Sequence, residues 1–193
     1  MKGWDLELFR AINGWPDSYK PFLGFFSQAF NYLSVKILVA ALVIGMIWAG
    51  GRARRTVVLA LVAVGIANFS TDRFKEFLPQ HRPFQVLQDC HLRAGWAPSF
   101  GTASAHAANM AAVACVFTLG LRYWGVPWIL VAIFTGFSRV YVGVHYPHQV
   151  LLGWACGIVS GILVTKSWDW LARRRKTVES GERDGKQSEA QTS

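Results

Sequence analysis

Apolar positions in this chain come in long blocks rather than scattered singly. Residues 32–50, 56–70, 107–121, 126–137 and 150–165 are each almost free of charge. A helix that crosses the hydrocarbon core of a bilayer needs about 20 apolar residues, and the blocks reach that length once their less polar flanks are counted. Buried helices of a soluble bundle would account for one or two such blocks, but five in so short a chain favour the membrane. The pattern predicts an all-α integral membrane bundle with about five transmembrane helices. Residues 1–30 read as an amphipathic N-terminal helix lying in the interface or dipping into it. Lys2 is followed by Asp5, Glu7 and Arg10, with no compact apolar core and no small-residue cleavage site, so a cleaved signal peptide is not expected. Residues 176–193 are polar and rich in charge, and are expected to form a disordered cytoplasmic tail behind a single membrane-embedded domain over 1–175.

Composition changes this picture little. The 193 residues are 52% hydrophobic and 16% charged, values that a soluble domain also reaches, so the arrangement carries the argument. The net charge of +9 raises nucleic acid as a partner, but its distribution points elsewhere. Arg52, Arg54 and Arg55 fill one connection, Arg122 another, and residues 173–176 follow the last block. With five spans these are alternate connections, the positive-inside pattern, and they place the 79–103 loop and the 145–148 turn on the opposite, outer face. A membrane partner is expected and nucleic acid is not. The three cysteines match no zinc spacing, and an odd number leaves no complete disulfide framework.

That topology gathers the ionisable residues of the blocks. The second block ends outward with Lys75 and then Arg82-Pro83; the third begins outward with Ser104 and His106; the fourth ends outward with Ser138-Arg139 and then His145. Ionisable groups at bilayer depth are costly, and a cluster of them marks a functional site. Three fixed cations without a cluster of carboxylates suit a dianion, and guanidinium matches phosphate oxygens in a bidentate way. Two histidines add a nucleophile and an acid for phosphoryl transfer. Singly, each residue has a plainer reading: Lys and Arg snorkel to headgroups, and His106 suits a core histidine bonded to a carbonyl. Arg73 and Arg93 read as surface or headgroup charges. His81, His91 and His148 show no helix-facing pair with a carboxylate, so no metal site is expected.

Lys75-x6-Arg82-Pro83, Ser104-x-His106 and Ser138-Arg139-x5-His145 together resemble the three-part signature of the type 2 phosphatidic acid phosphatase superfamily, over roughly residues 69–157. The resemblance implies a metal-independent, cofactor-free phosphatase. His145 would be the nucleophile that takes the phosphoryl group, and His106 the acid for the leaving group and then the base for water. Lys75, Arg82 and Arg139 would hold the phosphate oxygens, with Ser104 and the N–H groups of its helix start adding hydrogen bonds. Two departures stand out. Ala103-Ser104-Ala105-His106 replaces the usual Pro-Ser-Gly-His, and Gln149 replaces the Asp that orients the nucleophilic histidine. A neutral amide still accepts from the ring N–H but supplies no charge. The run His145-Tyr146-Pro147-His148-Gln149 is similar to the glucose-6-phosphatase branch, whose members hydrolyse phosphate esters.

The hydrophobic pattern of the first third resembles short bacterial undecaprenyl-diphosphate phosphatases, which makes that lipid the first expected substrate. Phosphatidic acid, phosphatidylglycerol phosphate, a lipid A phosphate or a soluble ester remain open, as do a lipid phosphotransferase and a silent relative that only binds phospholipid. The expected location is the inner membrane, multi-pass, with the site facing outward.

Overall fold

The computed structural model describes residues 3–96 and 99–192, and among these all regular structure is helical, without a strand. The helices are α1 (Gly3–Asn13), α2 (Lys20–Gln28), α3 (Leu33–Ala49), α4 (Gly51–Phe77), the one-turn α5 (Pro83–Val86), α6 (Ala105–Leu121), α7 (Val126–Tyr141) and α8 (Pro147–Thr192).

The bundle buries small residues and exposes large apolar ones. Ala60, Ala63 and Ala67 of α4 meet Ala108, Ala112 and Val116 of α6 in one core cluster. On its other side α6 receives the glycines of α8. A methyl group on Gly153 would lie 2.4 Å from the Ser104 carbonyl oxygen, one on Gly157 2.1 Å from that of Ala108, and one on Gly161 2.8 Å from Cys115. These glycines recur every fourth residue, so they form one stripe, and their lack of a Cβ lets the two backbones touch. Meanwhile Leu33, Leu38, Trp48, Leu61, Phe69, Leu130 and Leu163 stand more than half exposed. Apolar exposure on this scale fits a bilayer and not water as the surrounding solvent. The chain is a multi-pass membrane protein.

Three stretches are long and apolar enough to cross a membrane among the described residues: Gly51–Phe77, Ala105–Tyr141 and Pro147–Arg175, with a fourth if the pair Asp17–Asn31 and Leu33–Ala49, bent by 65°, counts as one. Ala105–Tyr141 is itself folded back. Arg122 takes a left-handed backbone (φ 53°), and Phe117 of α6 packs on Trp128 of α7 with ring centroids 5.0 Å apart. In one continuous helix those residues would be about 16 Å apart. Residues 1–30, expected as a single amphipathic helix, contain two. α1 lies across the end of the bundle, burying Asp5, Phe9 and Asn13, while α2 runs alongside α7 through Phe22, Phe26 and Phe134. At the other terminus the backbone continues helically to Thr192, through the stretch expected to be disordered. Its Arg, Lys, Glu and Gln are good helix formers, which low hydrophobicity alone does not reveal.

An ion pair between Arg55 and Asp169 joins α4 to α8 at the basic end of the bundle. Lys75 lies on the same helix about 30 Å further along, the thickness of a hydrocarbon core.

Candidate active site

Three helix ends build the site. α4 runs out at Phe77 into a loop held at its base by Thr102, whose hydroxyl donates to the Leu78 carbonyl at 2.6 Å and accepts the Gln80 N–H at 3.2 Å. Ser104 caps α6, its hydroxyl accepting the Ala107 N–H, and its own N–H donates to the Gln149 carbonyl. It is wholly buried, so the structure gives it a capping role alongside the ligand contact expected of it. α7 ends at Tyr141 and α8 begins at Pro147; the turn between them carries His145.

His145 is 2% exposed and fixed from both sides of its ring. Nδ1 lies 3.0 Å from the Gly101 carbonyl and 3.1 Å from Oε1 of Gln149. A carbonyl can only accept, so Nδ1 carries the proton and Nε2 keeps its lone pair. That lone pair accepts from Nη1 of Arg82 at 3.2 Å. Burial foremost, then the charges of Arg139 and Arg82, hold His145 well below the ordinary histidine range, with the Gln149 and Gly101 bonds acting the other way.

Arg82 spreads its guanidinium over the loop. Nε donates to the Ser99 carbonyl at 2.7 Å, Nη2 to the Ser99 hydroxyl at 3.0 Å, and Nη1 to the Val144 carbonyl at 3.2 Å. Arg139 donates from Nη1 to the carbonyl and hydroxyl of Ser27 on α2, at 3.1 and 2.7 Å, and its buried Nε has no partner among the described residues. An unspent donor of a buried guanidinium is what an incoming phosphate oxygen needs. Lys75 is mostly covered and pairs with Asp72 at 2.8 Å. His106 stands in the first turn of α6 within the fields of Arg139, Arg82 and Lys75. His145, Arg82 and Gln149 are in direct contact; His106, Arg139 and Lys75 join them electrostatically. Ser138 donates to the Thr135 carbonyl at 2.7 Å, a helix-internal bond.

Below His106 an apolar cavity of about 640 Å³ opens between α2, α3, α4, α6 and α7, lined by residues such as Phe26, Met46, Val64, Met110 and Val131. Its walls are the apolar stretches of these helices.

Arg93, expected as a surface charge, is 8% exposed in its side chain. It donates to the carbonyls of Asn13, Tyr141 and Trp15, pairs with Asp17 at 2.6 Å and stacks over the Tyr141 ring at 4.4 Å. Three carbonyl oxygens from two chain segments reach it at once, so the charge is better satisfied inside than at the headgroups. Gly101, Ser27 and Asp5 were not legible as site residues. Each meets its partner across a long separation, 112 residues for Ser27 and Arg139, and no local spacing announces such a contact.

Small buried residues, exposed apolar ones and a histidine–arginine cluster at one end define a membrane protein with a cationic candidate site. The sequence model of the PAP2 superfamily matches residues 56–173, and the chain belongs to that superfamily of membrane phosphatases. It is 29% identical over 158 residues to an undecaprenyl-diphosphatase of Sulfolobus acidocaldarius, covering 80% of this chain and 74% of that protein. It is 26% identical over 178 residues to the putative undecaprenyl-diphosphatase YbjG of Escherichia coli, covering 90% and 87%. Among solved structures, Aquifex aeolicus LpxE superposes with a TM-score of 0.71 at 26% identity, over 86% of this chain and 96% of that one. A PAP2-type phosphatidylglycerolphosphate phosphatase from Bacillus subtilis shares the fold, with a TM-score of 0.64 at 21% identity over 87% of each chain.

Proposed function

We propose that this protein hydrolyses a lipid phosphate or diphosphate, with undecaprenyl diphosphate the first candidate, through a phosphohistidine formed on His145. The observation that carries the reading is the His145 ring itself: Nδ1 is committed to a carbonyl and an amide oxygen, so Nε2 presents its lone pair beside Arg82. Nε2 attacks phosphorus while the Arg82 Nη1 moves its bond from the ring to a phosphate oxygen. Arg139 and Lys75 neutralise the other equatorial oxygens. His106 protonates the departing oxygen, then takes a proton from the water that breaks the N–P bond.

A lipid substrate is favoured by the apolar cavity beginning at His106, which would hold a hydrocarbon chain while the headgroup reaches the cations. Five spans, α3, α4, α6, α7 and α8, fit the five apolar blocks, and the basic loops then face the cytoplasm with the site outside. Gln149 favours activity over a silent role, because its oxygen contacts Nδ1 as a carboxylate would.

The test is phosphate release by the purified protein in detergent, from undecaprenyl diphosphate and from phosphatidic acid, with EDTA present. Release that persists in EDTA and vanishes in His145→Ala is expected, with Gln149→Asp equal to wild type or faster. Release only from Gln149→Asp would identify a silenced relative. Absence of release from all three proteins would overturn the reading for these substrates.

A further inference from the structure

Gln149 is held from two directions. Its Oε1 accepts the Tyr146 backbone N–H at 3.2 Å, a donor that cannot reverse its role, so the oxygen rather than the nitrogen faces His145. Its NH2 end faces Oε1 of Gln80 at 3.4 Å and the His81 carbonyl at 3.5 Å. The same Gln80 oxygen lies 2.8 Å from Nε2 of His148. On the far side of that ring, Nδ1 lies 2.7 Å from Oδ2 of Asp5, and the other Asp5 oxygen accepts the His148 backbone N–H at 3.0 Å. Asp5 is 2% exposed and sits on α1, 143 residues before its partner.

The Asp5 carboxylate only accepts, so Nδ1 of His148 donates to it, and Gln80 bridges Nε2 of that ring to the Gln149 amide. A simple tie between α1 and the start of α8 would need the Asp5 contacts alone. The continuation through Gln80 into Gln149 is what reaches the nucleophile.

We propose that Asp5 and His148 are positioning residues for His145, acting through Gln80 to hold the Gln149 oxygen on Nδ1. A carboxylate borne by the N-terminal helix thereby does indirectly what the resemblance expects of a carboxylate at position 149. This rests on the reading of His145 as nucleophile. Asp5, Gln80 and His148 border a cavity of about 580 Å³, so conservative replacements there adjoin space already present.

The test is a double-mutant cycle between Asp5→Asn and Gln149→Asp, read as kcat and KM for phosphate release. In the natural background Asp5→Asn is expected to lower kcat about 10-fold with KM within about 2-fold, the usual scale for a group that orients a reacting one. With Gln149→Asp present the same change should cost under about 2-fold, because the carboxylate then bears on His145 itself. Equal losses in both backgrounds, or a loss confined to KM, would reduce Asp5 to a structural tie. Should Gln149→Asp fail to fold, Asp5→Asn is paired with Gln80→Leu: a double variant no worse than the worse single supports the chain of contacts, and multiplied losses overturn it. Nitrogen-15 histidine spectra give a readout free of turnover. A changed His148 signal is expected in Asp5→Asn, with a concurrent change at His145. An unchanged His145 signal overturns the positioning role. Coupled signals without phosphate release would instead count against the phosphatase reading alone.

Discussion

Gly101 offers the sharpest perturbation of the site, because its missing side chain faces two of the groups that fix the nucleophile. An added Cβ would stand 2.8 Å from Cγ of Arg82 and 2.9 Å from Oε1 of Gln149. Carbon atoms pack at about 3.5–4.0 Å, so in Gly101→Ala the Arg82 stem must retreat by about 1 Å. Neither neighbour yields freely. The Arg82 guanidinium is bonded to Ser99, Val144 and His145, and Gln149 is fully buried with its oxygen on the Tyr146 N–H. The Gly101 carbonyl also accepts from Nδ1 of His145, so relief by backbone movement would tilt the ring. A displacement of about 1 Å at reacting groups costs on the order of 100-fold in rate, while overpacking alone costs about 1–3 kcal/mol of stability. Gly101→Ala should therefore lower kcat by about 10- to 100-fold with a modest fall in melting temperature. The assay is phosphate release in detergent beside thermal unfolding, with Gly95→Ala as the control, since nothing lies within 4 Å of a methyl group there. Activity of Gly101→Ala within about 2-fold of wild type, or an equal loss in Gly95→Ala, would refute the geometry argued for His145.

Other outcomes follow from the same structure. Gly157→Ala, whose methyl would meet the Ala108 carbonyl oxygen at 2.1 Å, should separate α6 from α8 and destabilise the bundle by about 1–3 kcal/mol or more, whereas Gly65→Ala, facing open space, should not; unfolding midpoints in one detergent decide it. Ser27→Ala removes a 2.7 Å acceptor from buried Arg139 and should cost about 1.5–3 kcal/mol in stability or phosphate affinity, read from unfolding and from inhibition by inorganic phosphate. His145 is held well below the ordinary histidine range, so its folded form stays neutral while the unfolded chain takes up a proton below about pH 6.5; its contribution to stability is full above that pH and is lost as pH falls toward the folded value. For the same reason the burst of phosphohistidine formation, measured with a nitrophenyl ester whose leaving group needs no proton, should stay flat as pH falls through about 6.5. A limb centred there would contradict a depressed His145.

The order of the apolar blocks, the end of the bundle that carries each charge and the identities of His145, His106, Arg82 and Arg139 were all readable in one dimension. They depend on local hydrophobicity and on motif spacing, and both are properties of neighbouring residues. The four-residue spacing of the glycines at 153, 157 and 161 was also visible in the sequence, although the apolar pattern gave it no role. What it packs against was not. Nor was the fate of Arg93, which an isolated sequence position assigns to the headgroups and three converging carbonyls draw inside. Ser27 beneath Arg139 and Asp5 beside His148 belong to the same class of contact, joined across 112 and 143 residues by helices that cross only in the folded bundle. The sequence alone determined which ionisable side chains gather at one end of the bundle, because water and lipid sort residues one at a time. Tertiary structure decided the tautomer of His145, the buried partners of its cations and the route from Gln149 to a carboxylate, because hydrogen bonds are directional and their partners come from chain segments that meet only when the helices pack.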